Sequence, residues 1–142
     1  MRDMHSDVVA VKALTPQVAT ADAAATDIDL SGFEAAEVLF HIGASGDTLS
    51  GTVKMALALA HSDDGTTYTA VAAADLTNGT PDANGVVATI DSAAEDDVIH
   101  AFGYIGGKQY IQATVDFTGT HTNGTPIAIT VLKSKARNAP VQ

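Results

Sequence analysis

Histidine is the side chain best suited to proton transfer or metal ligation near neutral pH, and this chain has five, at His5, His41, His61, His100 and His121. No two lie closer than twenty positions apart, so no H-x-x-x-H pair exists to grip a metal from one local segment. His41 and His61 could meet only if the segments carrying them pair. The acidic groups Asp27/Asp29, Asp63/Asp64 and Glu95/Asp96/Asp97 lack the alternating oxygen ligands of a calcium loop. They read as solvated turns, with weak calcium stabilisation of a loop left as an open alternative. The string Gly43-Ala44-Ser45-Gly46 has the wrong spacing for a nucleophile elbow, which needs G-x-S-x-G at a strand-to-helix turn. Gly106-Gly107-Lys108 imitates the end of a phosphate-binding loop. It has Phe102 in place of the first glycine and Gln109 in place of the hydroxyl, and a strand pattern follows it. No pair of carboxylates can be nominated for glycoside hydrolysis without a fold to bring them together. These readings exclude the common enzyme classes and predict no catalytic residue, cofactor site or metal site.

The remaining candidates are contact residues. The chain carries 7 basic and 17 acidic residues, a formal charge of −10. Such a body repels nucleic acid phosphates and anionic membranes. Three of the cations, Lys133, Lys135 and Arg137, fall in the last ten residues and make a locally basic tail. Tyr104 and Tyr110 flank the Gly106-Gly107 turn, where tyrosine suits a partner surface. The other aromatics sit beside apolar neighbours and read as core, without the interleaved cations of a base-stacking platform. No apolar run approaches the ~18 residues of a membrane span. No apolar stretch follows Met1-Arg2-Asp3-Met4-His5, so a protein made and kept in a cytoplasm is expected. Without cysteine there is neither a disulfide framework nor a thiolate metal site.

What must position these residues is a set of strands. In 36–42, residues Ala36, Val38, Phe40 and Ile42 fall on one face, with Glu37 and His41 on the other. Segments 52–60, 109–118 and 126–134 repeat that period of two, which buries one face of each strand. Shorter strands are predicted at 7–14, 26–30, 67–72, 86–90 and 97–105. Ser62-Asp63-Asp64-Gly65, Asn84-Gly85 and Gly106-Gly107 read as hairpin turns. Thr-Asn-Gly-Thr-Pro occurs twice, at 77–81 and 122–126, the same turn chemistry used twice. By propensity, Ala21–Ala25 and Ala70–Ala74 suit helical turns, and 92–97 a loop. The expected fold is all-β: a single domain over 1–142, with an antiparallel β-sandwich body (jelly-roll-like or a barrel variant) at 8–135. Extended arms are expected at 1–7 and 136–142.

Several stretches resemble the small Ala/Gly/Thr-rich proteins encoded among the head genes of tailed bacteriophages and related prophages, the head decoration or cement proteins. They are Val8–Leu14 with Thr20-Ala21-Asp22, Asp29–Ala35, the hairpin His61–Val71, Gly103–Ile111 and the closing Lys133–Val141 with Ala139-Pro140. The likeness is one of pattern and order over most of the chain. It implies a non-enzymatic virion protein on the capsid surface, with the major capsid protein as partner, no cofactor, and a homo-oligomer, a trimer by preference. The contact residues it implies are Arg2 and His5 in the N-terminal arm, Tyr104 and Tyr110, and Lys133, Lys135, Arg137 and Pro140 towards the C-terminus. A tail, connector or head-fibre module, or a carbohydrate-binding β-sandwich, are the alternatives; the absence of tryptophan counts against the last.

Overall fold

A computed structural model describes residues 3–138. Ten strands follow in order: β1 (Val9–Ala19), β2 (Ala23–Ala24), β3 (Ile28–Asp29), β4 (Phe33–Ile42), β5 (Lys54–Ser62), β6 (Thr69–Ala70), β7 (Val86–Ile90), β8 (Val98–Tyr104), β9 (Tyr110–Thr118) and β10 (Thr125–Ala136). Every pairing is antiparallel. One sheet has the order β1-β10-β4-β8. In the other, β5 and β9 form the centre; β2 and β3 share the free edge of β9, and β6 and β7 share that of β5.

The period-two pattern decides which faces meet. Val38, Phe40, Ile42, Ile129 and Val131 from the first sheet pack on Met55, Leu57, Ile111 and Val115 from the second, all buried. Phe40 and Phe102 meet edge to face at 6.1 Å, a favoured aromatic geometry. Burial of such side chains supplies the main driving force, at roughly 1.5–3 kcal/mol each. The result is the expected all-β sandwich.

Several local expectations change. Ala21–Ala25 holds the two-residue strand β2 on the edge of β9, because five residues are too few to sustain a helix alone and the free edge of β9 supplies hydrogen bonds instead. Ala70–Ala74 divides between β6 and a 3₁₀ turn at Ala73–Asp75. Gly106-Gly107 is no hairpin within a sheet, since β8 and β9 lie in different sheets and the chain crosses between them. Asn84-Gly85 closes a turn before β7, yet β7 pairs with β5 and not with the strand before it. The described part of the N-terminal arm is a tied turn, with Asp7 N donating to Met4 O at 3.2 Å and Ser6 N to Asp3 Oδ1 at 2.7 Å. Ala136 belongs to β10, and Arg137 N donates to Gly32 O at 2.9 Å. The body therefore reaches at least that far.

The two Thr-Asn-Gly-Thr-Pro copies place their glycines, Gly79 and Gly124, at positive φ. The first copy seals an edge: Asn78 accepts from Gly103 N and donates to Ala101 O, both at 2.9 Å, along β8. Covering an exposed strand edge in this way blocks unwanted pairing. The second copy is held by Asp47, whose carboxylate accepts from the amides of Thr122, Asn123 and Gly124 at 2.8–3.1 Å. At the other edge of the first sheet, Pro16 falls where the β1 ladder shifts register, the edge position a proline tolerates.

Candidate functional site

At one end of the sandwich the β3–β4 loop, the β5–β6 turn, the β8–β9 crossover and the end of β10 converge. They enclose a polar cavity of about 550 Å³. The pairings β4–β10 and β3–β9 bring these four segments together from remote parts of the chain.

Cations ring this end. Lys108 Nζ donates to Asp63 Oδ2 at 2.7 Å, and Arg137 Nε lies 3.6 Å from Glu34 Oε1. Lys133 Nζ sits 4.7 Å over the Phe33 ring and 3.4 Å from the Asp29 carbonyl. The two ion pairs are largely solvated and hold little energy, about 0–1 kcal/mol each, so their charges stay available to a partner. The Asp29 carboxylate accepts from Ser31 N at 2.8 Å, and this bond holds it below the usual carboxylate range. Gln109 Nε2 bridges Asp29 Oδ1 and Tyr110 Oη at 3.2 and 3.1 Å.

Beneath the rim lies a buried network. Lys108 N donates to Tyr104 Oη at 3.2 Å, and the same oxygen lies 3.0 Å from His61 Nδ1. With the phenol donating along that bond, His61 carries its proton on Nε2, which lies 3.9 Å from Asp75 Oδ2. That same carboxylate oxygen is fixed by Ala72 N at 2.8 Å. Burial lowers the His61 pKa, against the opposing pull of Asp75. Burial pushes the Tyr104 phenol up to about 12. The order Asp75–His61–Tyr104 resembles a proton relay, but the phenol is neutral and both its hydrogen-bonding directions are taken by protein groups. The network ties the β8–β9 crossover to β5.

The structure gathers some of the expected contact residues and separates others. Lys133 and Arg137 stand at this end, and the exposed Lys135 lies nearby at positive φ (53°). Tyr110 is half-buried, directed outward from β9. Tyr104 is no contact residue: it is 2% exposed, because its position on β8 turns the ring inward onto His61 at 5.8 Å. His5 is exposed in the N-terminal turn, away from any cavity described. Arg2 and Pro140 lie outside the described residues. His41 and His61 do not meet: His41 faces outward from the four-stranded sheet, whereas His61 is buried between the sheets against Tyr104. Among the described residues, no group of three histidine or carboxylate side chains is placed to hold a metal ion. Sequence reasoning missed Lys108, Asp63, His61 and Asp75 as members of one cluster. Their only signal was the glycine pair before Lys108, which frees the crossover to bend.

A second cavity, apolar and about 480 Å³, opens on the outer face of the four-stranded sheet at its other end. Pro16, Val18, His41, Ile99, Pro126 and Ala128 line it. Val18 is 64% exposed and Ile99 56%. His41 Nε2 is buried there with no hydrogen-bond partner.

No family model matches the chain, and no curated protein matches it. Among solved structures it is similar to the SPBc2 prophage-derived protein YomS, with 10% identity, a TM-score of 0.49, and coverage of 89% of this chain and 92% of that one.

Proposed function

We propose that the protein is a non-catalytic structural component of a bacteriophage particle, one that attaches to the outer surface of the capsid lattice and stabilises it. The reading starts from the sequence resemblance. The observation that carries it is the gathering of Lys108, Lys133, Lys135 and Arg137 at one end of a body whose net charge is −10. These cations offset the carboxylates of Asp29, Glu34 and Asp63, so this end is repelled less by an acidic surface than the anionic remainder, which keeps free copies apart. Many weak contacts on a repeating shell add through avidity, so a small rigid sandwich suffices.

The deciding experiment is the copy number of this chain in purified particles, by quantitative mass spectrometry against the major shell protein. A count comparable to the shell protein supports lattice-wide decoration. A few copies per particle point to a tail or connector part, and absence from particles refutes the reading. Charge reversal by Lys108→Glu with Arg137→Glu is expected to weaken attachment and leave the fold intact.

A further inference from the structure

The β8–β9 crossover, residues 105–109, lies across the buried network and walls the polar cavity through Gly107, Lys108 and Gln109. Its two ends are tied by backbone groups. Ile105 N donates to Asp75 O at 2.8 Å, and Leu30 N donates to Gln109 O at 2.7 Å. Its middle depends on side chains. Lys108 N donates to the Tyr104 phenol at 3.2 Å, and Lys108 Nζ donates to the exposed Asp63 carboxylate at 2.7 Å. Gly106 packs so closely on the network that a Cβ there would meet Tyr104 Oη at 2.8 Å and Asp75 Oδ1 at 2.7 Å. The hold on the backbone at Lys108 therefore depends on which way one phenol hydrogen points.

We propose that His61 is a pH-sensitive latch on this crossover: a second proton on its imidazole reverses the Tyr104 hydrogen bond and frees Lys108 from the phenol. A phenol oxygen offers one direction for its own hydrogen and one for a lone pair in the ring plane. With His61 neutral, the hydrogen serves Nδ1 and the lone pair serves Lys108 N. An imidazolium carries a hydrogen on both nitrogens and accepts nothing. The added proton comes from water and takes Nδ1, while the phenol keeps its own. The lone pair then faces His61, because a hydrogen bond from a charged donor is roughly twice as strong as one from an amide. The phenol hydrogen swings to the side of Lys108 N, and two donors face each other. The crossover yields there, where Gly106 and Gly107 bend readily. The charged groups that bear on His61 are Asp75 on the 3₁₀ turn, Lys108 on the crossover and Asp63 on the β5–β6 turn. Tyr104 on β8 stays protonated, and β6 and β9 set Thr69 and Ile111 opposite His61, which do not titrate. Burial favours the neutral imidazole and Asp75 opposes it, so the latch opens in mild acid. The latch is a property of the free chain. Only its consequence, a loosened attachment end as pH falls, rests on the particle reading.

The test is an NMR titration of the ¹⁵N-labelled full chain from about pH 7.5 to about pH 4.5, a range that spans histidine and stays above acid unfolding. The His61 imidazole is expected to pass from the Nε2–H tautomer to the imidazolium below about pH 6.5. With the same midpoint, the Lys108 amide is expected to lose about 10-fold in protection from exchange, the equivalent of one hydrogen bond, after correction for the intrinsic pH dependence. The Ile105 amide, bonded to a backbone carbonyl, is expected to keep its protection. In His61→Gln, whose side-chain amide accepts the phenol hydrogen at every pH, Lys108 is expected to stay protected. In Tyr104→Phe it is expected to exchange fast at every pH, with no step. The parent titration decides the matter without either variant. A His61 that titrates while the Lys108 amide keeps its protection overturns the proposal. So does a His61 that stays neutral down to about pH 4.5, or a Lys108 response that persists unchanged in His61→Gln.

Discussion

Replacing Tyr104 by Phe tests the account of the buried network directly. The ring is kept, so its packing against His61 and the core is unchanged, and only the hydroxyl is removed. Two groups then lose a partner: His61 Nδ1 at 3.0 Å and Lys108 N at 3.2 Å. An unsatisfied buried acceptor costs roughly 1–2 kcal/mol, and the amide, which water partly reaches, costs up to about 1. The expected loss is therefore about 1–3 kcal/mol. For a chain of this length, about 4 °C of Tm follows each kcal/mol, so Tm should fall by roughly 4–12 °C. Urea unfolding followed by circular dichroism should show the midpoint lowered with its slope unchanged, the sign of a pure stability change. Imidazole ¹⁵N shifts in the parent protein should report the Nε2–H tautomer of His61. A Tyr104→Phe protein within about 0.5 kcal/mol of the parent would refute the reasoning, because an unpaired buried acceptor is never that inexpensive.

Other perturbations probe separate parts of the fold. Gly85 lies at φ +79, and a Cβ there would strike the Leu59 carbonyl, so Gly85→Ala should cost more than the ~1 kcal/mol of an ordinary turn glycine and detach β7 first, visible as faster amide exchange over 86–90. Leu57 is fully buried between the sheets, and Leu57→Ala should lower stability by about 2–5 kcal/mol in equilibrium unfolding. The Asp47 carboxyl is held low chiefly by the Asn123 amide. Its contribution is thus present above the unfolded carboxylate value and is lost as pH falls through the folded one. Acid unfolding should set in below about pH 4, and Asp47→Ala should lower the urea midpoint at neutral pH while flattening this acid dependence. His61, whose pKa is lowered by burial, adds an earlier decline as pH falls below about 6.5, absent from a His61→Gln protein.

The long strands were legible because their evidence is local. Alternation in 36–42, 52–60, 109–118 and 126–134 reports one buried face, and Val38, Phe40, Leu57, Val115 and Ile129 are buried as that alternation requires. Turn positions were legible for the same reason, since glycine, asparagine and aspartate act on the backbone within a few residues. Short strands were harder. Ala23-Ala24 becomes a strand through the edge of β9, some ninety residues away, and nothing in an alanine run announces that edge. Tyr104 sits in a strand followed by a glycine turn and so looked exposed, yet the crossover between sheets turned it towards His61.

Composition determined the anionic charge and the absence of thiol chemistry, and the period-two order of residues determined an all-β body built from half-buried strands. Pairing partners and proximity were decided by the tertiary structure, because hydrogen bonds between strands join backbone groups that are alike in every residue but proline. Which strand meets which depends on how two whole faces fit. That fit gathers Lys108, Lys133 and Arg137 around one cavity and places His61 between Asp75 and Tyr104.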